Sequence, residues 1–248
     1  MNNNLTDNKF WQNFWESKKN LIFKINPDYT FHKLLESLIK ERKLKSAIEL
    51  GGFPGYYTIF LKKYFNLNTT LFDYYIFPPI INELLNCNDL KIEDVSIIEA
   101  DLFTYQPEST YDLVTSFGLI EHFEDTHDII NRHLPFLKEG GTLFITLPNF
   151  KGVNGWIQQV FDRYNYNKHN INCMDPMLLE TVAQELGLND VQAYYYGNFS
   201  TWLEHRDEKS VWAKVITKLI WYAGKGITRA FRFESKLLSP YIVLEAKK

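Results

Sequence analysis

The sequence predicts an α/β fold, a mostly parallel sheet with helices on both faces. Three observations lead to it. Between Ser46 and Leu147, short runs rich in apolar and β-branched residues alternate with helical patterns. The first of these runs ends in glycines that open directly into a helical pattern, the join expected of a βα unit. The chain has 248 residues, 45% hydrophobic and 23% charged, which suits one folded core carrying sizeable insertions.

The elements follow in order. Phe10, Trp11, Phe14 and Trp15 recur at helical spacing behind Thr6 or Asp7 as N-cap. Asn26-Pro27-Asp28 is a turn, and Phe31, Leu34, Leu35, Leu38 and Ile39 mark the apolar face of a second helix. Strands are expected at Ser46–Leu50, Thr69–Asp73, Val95–Asp101, Tyr111–Phe117 and Thr142–Leu147. Helices are expected at Tyr56–Tyr64, Pro78–Leu85 and Asp125–Leu137, the last stopped by Lys138-Glu-Gly-Gly141. Beyond Pro148 the rhythm changes. Residues 150–176 and 198–236 read as insertions on the substrate side, flanking a helix at Pro176–Leu186 and a strand at Val191–Tyr196. Tyr241–Ala246 closes the chain as a strand. The whole is expected to be a single domain over 1–248, with 1–45 a helical cap and 46–149 a cofactor-binding half.

Composition narrows the function classes. Lys plus Arg number 27 against 30 Asp plus Glu, a net charge of -3, so nucleic acid is not an expected partner. The 2 cysteines, Cys87 and Cys173, build neither a disulfide framework nor a CxxC metal site. With no signal-peptide pattern at the N-terminus and no apolar run of membrane-spanning length, a cytoplasmic location is expected. Aromatic residues reach 16%, material for a pocket around a flat ligand or for an aromatic core.

The residues that carry chemistry stand at strand ends. Glu49-Leu-Gly-Gly-Phe-Pro-Gly55 follows the first strand and opens a helix, where glycines admit a ligand close to the backbone and a helix N-terminus offers free N–H groups. Asp73 ends the second strand about twenty residues on, the place of a ribose-binding acid. Asp101 ends the third, set to meet an adenine amino group. Phe117-Gly-Leu-Ile-Glu-His122 follows the fourth. The spacing Gly51-Gly-Phe-Pro-Gly55 is not the G-x-G-x-x-G of a dinucleotide loop.

These motifs resemble those of class I S-adenosylmethionine (SAM)-dependent methyltransferases. Glu49 to Gly55 stands at the family's E/D-x-G-x-G-x-G loop, with Phe53 where the middle glycine belongs. Asp73, Ala100-Asp101-Leu102, Phe117–Phe123 and Leu137–Leu143 are similar to the motifs of the following strands. The resemblance implies a Rossmann-like, seven-stranded sheet whose antiparallel last strand is Tyr241–Ala246. It implies SAM as cofactor, bound by Glu49, Gly51, Gly52, Gly55, Asp73, Tyr74, Asp101, Leu102, Phe117 and Gly118. It also implies methyl transfer to a small molecule or glycan precursor, to oxygen ahead of nitrogen or carbon. The Asn/Asp-Pro-Pro-Tyr signature of many amino-methylating enzymes is missing after the fourth strand.

Candidate catalytic residues are His122, just past the fourth strand, and His169 in the first insertion. Histidine has the pKa of a general base at neutral pH; the Glu121-His122 pair can equally shape the pocket without moving a proton. Trp156, Phe161, Tyr164, Tyr166 and Tyr194–Tyr196 are candidate acceptor walls. No metal-ligand spacing stands out and no metal is expected. In the second insertion Trp212, Val215, Ile216, Leu219, Ile220, Ala223 and Ile227 face away from Lys214, Lys218, Lys225 and Arg229, which fits either a core-packed helix or a peripheral membrane contact through 212–231, the latter suiting a lipid or isoprenoid acceptor. Gly224 and Gly226 are expected to interrupt or end this helix. The substituted Phe53 leaves open a SAM-binding sensor or partner subunit without turnover.

Overall fold

The computed structural model describes residues 5–204, 206–231 and 234–248. Its strands are β1 (Ser46–Leu50), β2 (Asn68–Asp73), β3 (Ser96–Glu99), β4 (Tyr111–Phe117), β5 (Leu137–Pro148), β6 (Asn189–Tyr196) and β7 (Tyr241–Lys247). They form a seven-stranded sheet in the order β3-β2-β1-β4-β5-β7-β6. The order reverses at β1, which pairs in parallel with β2 on one side and β4 on the other. Such a reversal opens a crevice at the carboxyl ends of the strands. Ile48, Leu50, Leu71, Phe72, Leu113 and Val114 are all buried, the near-continuous apolar runs of parallel strands covered on both faces. β7 runs antiparallel to β5: Gly140 N–H donates to Lys248 O, Lys248 N–H to Gly141 O, and Asn149 N–H to Pro240 O at the opposite end. The expected sheet, with its inserted antiparallel last strand, is therefore present.

The chain forms two compact units. The first comprises Thr6–Phe117, Asp128–Phe144 and Ala246–Lys248. It holds α1 (Asn8–Ser17), α2 (His32–Arg42), α3 (Tyr56–Phe65) and α4 (Pro78–Cys87). Asp7 caps α1 by accepting from Phe10 N–H at 2.7 Å. α2 buries Leu35, Leu38 and Ile39, the face that its periodicity predicts. β3 is shorter than its sequence pattern. It stops at Glu99, and Asp101 lies in the turn beyond, where its main-chain carbonyl accepts from Thr104 and Tyr105. The helix expected at Asp125–Leu137 is only α5 (Thr126–Asn131), since Pro135 cannot continue an α-helix and sits in a short 3-10 turn. Lys138–Gly141 belongs to β5 rather than to a helix stop, paired to the chain end.

The second unit comprises Gly118–His127 and Ile145–Glu245 together with Leu5. The insertion at 150–176 is strand-free as expected, but it folds into α6 (Val153–Phe161) and α7 (Arg163–Tyr166). α8 (Pro176–Glu185) starts with Asp175 as N-cap, bonded to Met177 N–H at 3.1 Å, and Pro176 in its first turn. α9 (Val211–Phe231) runs unbroken through both glycines, contrary to the expectation that they end it. The reason at Gly224 is packing: a methyl there would stand 2.1 Å from the Phe199 ring, so only glycine lets the buried ring lie against the helix. α9 packs through a narrow stripe of small residues, Ala213, Gly224 and Thr228. Most of its large apolar residues are exposed, Trp212 by 76%, Leu219 by 64% and Phe231 by 72%, while Ile216, Ile220 and Trp221 are half-buried. The core-packed alternative for the Trp212–Leu219 face does not hold.

The two helix glycines are predicted to respond with opposite sign to one substitution. Gly226 meets nothing within 4 Å, so Gly226→Ala is expected to raise unfolding stability by up to about 1 kcal/mol through helix propensity alone. Gly224→Ala is expected to lower it by roughly 1–3 kcal/mol through overpacking against Phe199. Denaturant titrations of both variants test this, and stabilisation by Gly224→Ala would contradict the packing account.

Candidate active site

Glu49 at the end of β1 organises the loop that follows. Its side chain is buried, and Oε2 accepts from Thr58 N–H at 2.7 Å and from the Thr58 hydroxyl. Gly52 is needed for this, because a methyl there would stand 2.5 Å from Glu49 Cγ and 2.8 Å from Leu71 Cδ1. Gly51 and Gly55 adopt φ of +63° and +98°, the left-handed region that favours glycine. Gly52 N–H donates to Phe72 O and Gly55 N–H to Gly52 O, closing the loop onto β2. Burial pushes the Glu49 carboxyl up to about 8, against the pull of Thr58.

Asp73 closes the next turn. Its Oδ2 accepts from Phe53 N–H at 2.8 Å and its Oδ1 from Tyr75 N–H at 3.0 Å. Each carboxylate oxygen keeps a second lone pair for a ligand hydroxyl. Burial pushes this carboxyl up to about 6, outweighing the N–H bonds. The Asp73 carbonyl accepts from Ala100 N–H, tying the β2 and β3 ends together. Asp101 Oδ1 accepts from Phe103 N–H at 2.9 Å. Leu102 is partly buried and Tyr74 exposed. Phe117 stacks on Tyr57 of α3 with centroids 3.5 Å apart. The structure thus brings Glu49, Gly51, Gly52, Gly55, Asp73, Tyr74, Asp101, Leu102 and Phe117 to the ends of adjacent strands within one unit. Gly118, with φ of +75°, belongs to the other unit and donates to Thr146 O at 2.8 Å.

Phe53 does not stand open in the loop. It is buried, edge-on to Trp15 of α1 at 5.2 Å and to Tyr75 at 6.1 Å. Asn8 adds a hydrogen bond from its side chain to Tyr74 O at 3.1 Å. The residue that departs from the family's glycine therefore anchors the N-terminal helix to both loops, a role that Tyr75 and Asn8 share and that no local sequence signal announces.

The second unit gathers a different set. His122 and His169 have ring centroids 4.7 Å apart. His122 Nδ1 lies 3.1 Å from Lys168 O, and His169 Nδ1 lies 2.8 Å from Asn165 O. Burial, then His169, pulls His122 down to about 3, and burial lowers His169 as well. Both rings are neutral near pH 7, and His122 is a far weaker base than a free imidazole. Glu121 is buried, its carboxyl pushed up to about 8 by burial, and its Oε2 has no hydrogen-bond partner. Ligand atoms of Glu121, His122 and His169 all lie within 4.8 Å of one another, a set that sequence spacing does not reveal because His169 is far along the chain. Phe150 packs on His169 at 4.8 Å. It also lines a depression of about 380 Å³ with Lys151, Trp156, Gln159 and Tyr166. Two of the expected aromatic walls meet there, whereas Tyr164 is exposed and the Tyr194 hydroxyl donates to Glu245.

A glycine loop braced by a buried acid, followed by acids in the turns after β2 and β3, stands at the carboxyl edge of the sheet, where open α/β sheets take their ligands. A family model described as a methyltransferase domain matches residues 24–193. (S)-coclaurine N-methyltransferase of Papaver somniferum is 30% identical over 59 residues, 24% of this chain and only 17% of that protein. A SAM-dependent methyltransferase from Archaeoglobus fulgidus superposes with TM-score 0.51 at 14% identity, over 87% of this chain and 94% of the other. Phosphoethanolamine N-methyltransferase 2 of Haemonchus contortus, in complex with SAM, gives TM-score 0.57 at 16% identity. It shares 87% of this chain, which spans 52% of that one. The chain belongs to the class I SAM-dependent methyltransferase family.

The buried acid yields a pH prediction. Glu49 is raised from 4.5 to about 8 in the folded state, so its contribution to stability is complete below about 4.5 and is lost as pH rises through about 8. Wild type is expected to lose unfolding stability across that window more steeply than Glu49→Gln, which keeps an acceptor for Thr58 but does not ionise. Parallel stability curves for the two proteins would contradict the assignment.

Proposed function

We propose that this protein transfers the methyl group of SAM to an oxygen of a small-molecule or glycan-precursor acceptor. The observation that carries the donor half is the Glu49–Gly55 loop hydrogen-bonded to Asp73 through Phe53 N–H. In this reading Asp73 and Asp101 receive the ribose and adenine, while Gly51, Gly52 and Gly55 let the backbone approach the ligand. The acceptor half is supported by the depression walled by Phe150, Trp156 and Tyr166, which suits a ring or sugar.

The chemistry needs little beyond alignment. The acceptor oxygen lone pair forms the new O–CH₃ bond, the C–S bond breaks, and its electron pair stays on sulfur as neutral S-adenosylhomocysteine leaves. Holding the oxygen in line behind the methyl supplies several kcal/mol. His122 follows β4 closely in sequence. With its pKa held near 3, it serves better as a neutral hydrogen-bond acceptor for the hydroxyl than as a store for its proton. His169 is placed beside it for the same task, and the proton passes to solvent. Both named N-methyltransferases act on nitrogen, so nitrogen is the competing acceptor. The Phe117-Gly-Leu-Ile stretch, without an amino-methylating signature, favours oxygen. Incubation with carbon-13 methyl-labelled SAM and a panel of hydroxylated and aminated acceptors decides between them. A product resonance in the methoxy range is expected. Labelled product confined to N-methyl groups would overturn the oxygen assignment.

A second reading concerns where the acceptor is met. The exposed apolar face of α9 is flanked by Lys214, Lys218, Lys225 and Arg229, which supports docking on an anionic membrane surface with the helix lying in the interface. No helix among the described residues is long and apolar enough to cross a membrane. Co-sedimentation with vesicles containing phosphatidylserine is expected for the full chain and not for Trp212→Glu/Leu219→Glu. Binding should weaken in high salt. An unbound wild type would remove the membrane reading and with it a lipid acceptor.

A further inference from the structure

We propose that Glu121, His122 and His169 form a binding site for a divalent first-row transition-metal ion. The three residues offer ligand atoms within 4.8 Å of one another. Around one ion at about 2.0–2.1 Å, tetrahedral ligands stand about 3.4 Å apart, so side-chain rotations of an ångström or so close the set. The segments that carry them are pinned together by main-chain and amide bonds. Asn170 N–H donates to Glu121 O at 2.6 Å, and Asn170 Nδ2 donates to Phe123 O at 3.0 Å and Glu124 O at 2.9 Å.

The donor chemistry fits a metal at each position. The Nδ1 atoms of His122 and His169 each face a main-chain carbonyl. A carbonyl only accepts, so each Nδ1 carries the proton and each neutral ring has its lone pair on Nε2. Proteins use this outer hydrogen bond to orient and strengthen imidazole ligands. Glu121 is buried with an unsatisfied Oε2, an arrangement that costs free energy unless a charge or donor meets it. Lys168 is the nearby cation and lies over the Tyr164 ring at 5.1 Å. The carboxylates of Glu204 and Asp162 act on His169 with the sign that favours a cation. Two imidazoles and one carboxylate suit zinc, manganese, iron or cobalt, not the all-oxygen shell of magnesium or calcium.

Three protein ligands leave positions for an exogenous oxygen, the pattern of catalytic rather than structural sites. Resting on the methyl-transfer reading, that oxygen is the acceptor hydroxyl. Bound to the ion, that hydroxyl would have its pKa lowered and would give its proton to solvent, which is the chemistry the ion would supply. With the ion bound, the Nε2 atoms of His122 and His169 hold the metal, and the metal takes over their direct contact with the hydroxyl.

Chelator-stripped full-length protein, titrated with Co²⁺ and then Zn²⁺, tests the site directly. Expected are the visible bands of bound Co²⁺, their loss on Zn²⁺ addition, and a single equivalent of zinc retained through gel filtration. Mg²⁺ at equal concentration should displace nothing. Glu121→Gln and His169→Ala should each weaken uptake at least tenfold with far-UV circular dichroism unchanged. No uptake by wild type overturns the proposal whatever the variants do, and so does uptake that neither substitution weakens. SAM binding by the same preparations is read separately. Metal uptake without SAM binding would count against the methyl-transfer reading alone, and SAM binding without metal uptake against the metal site alone.

Discussion

The interaction on which the cofactor side depends is the buried carboxyl of Glu49 with Thr58. A carboxyl enclosed at a strand end is expensive unless its oxygens are bonded. Thr58 meets that need twice, through its amide and its hydroxyl. Because Thr58 sits in the first turn of α3, the bond also fixes where the helix starts relative to β1. The loop between them is then too short and too tightly packed to carry a side chain at Gly52. It closes onto Asp73 and Phe72 and presents main-chain groups at the sheet edge. Phe53, directed into the contact with Trp15, extends the same brace to the N-terminal helix.

Burial without counter-charge recurs around both candidate sites. Glu49, Asp73 and Glu121 are all held above ordinary carboxyl pKa values by burial. None is relieved by a lysine or arginine in the described structure, though surface acids such as Glu36 and Asp112 have lysine partners. Acids kept out of water and away from basic residues are stabilised by ligands that bring hydrogen-bond donors or positive charge. A ribose brings donors, and a sulfonium cofactor or a metal ion brings charge.

Much of this was legible in the sequence where the signal is local. β1 and β4 have the predicted bounds because each carries a short apolar and β-branched run that a glycine follows, a signal contained within the segment itself. The glycine loop and Asp73 stand at the ends of β1 and β2 as expected, because both follow short local runs. The misread elements depend on distant partners. Lys138–Gly141 looks like a helix stop until Lys248 pairs with it. Gly224 looks like a helix breaker until Phe199 fills the space that its missing side chain leaves. The large apolar residues of α9 look like core because periodicity reveals that a helix has an apolar face, not whether anything covers it. The meeting of Glu121 and His122 with His169 is of the same kind, a long-range contact made by the fold of an insertion.

The central claim is that Asp73 is the acid that receives the adenosyl end of SAM, and its titration gives the most direct test. In the free protein this carboxyl is raised to about 6, and a ribose diol bonded to it favours the ionised form. Calorimetric SAM binding at pH 5 and pH 7.5 should therefore tighten about tenfold for wild type, about 1.4 kcal/mol. Asp73→Asn should bind more weakly at both values and show no such change. Equal affinity for the two proteins, without pH dependence, would contradict the account.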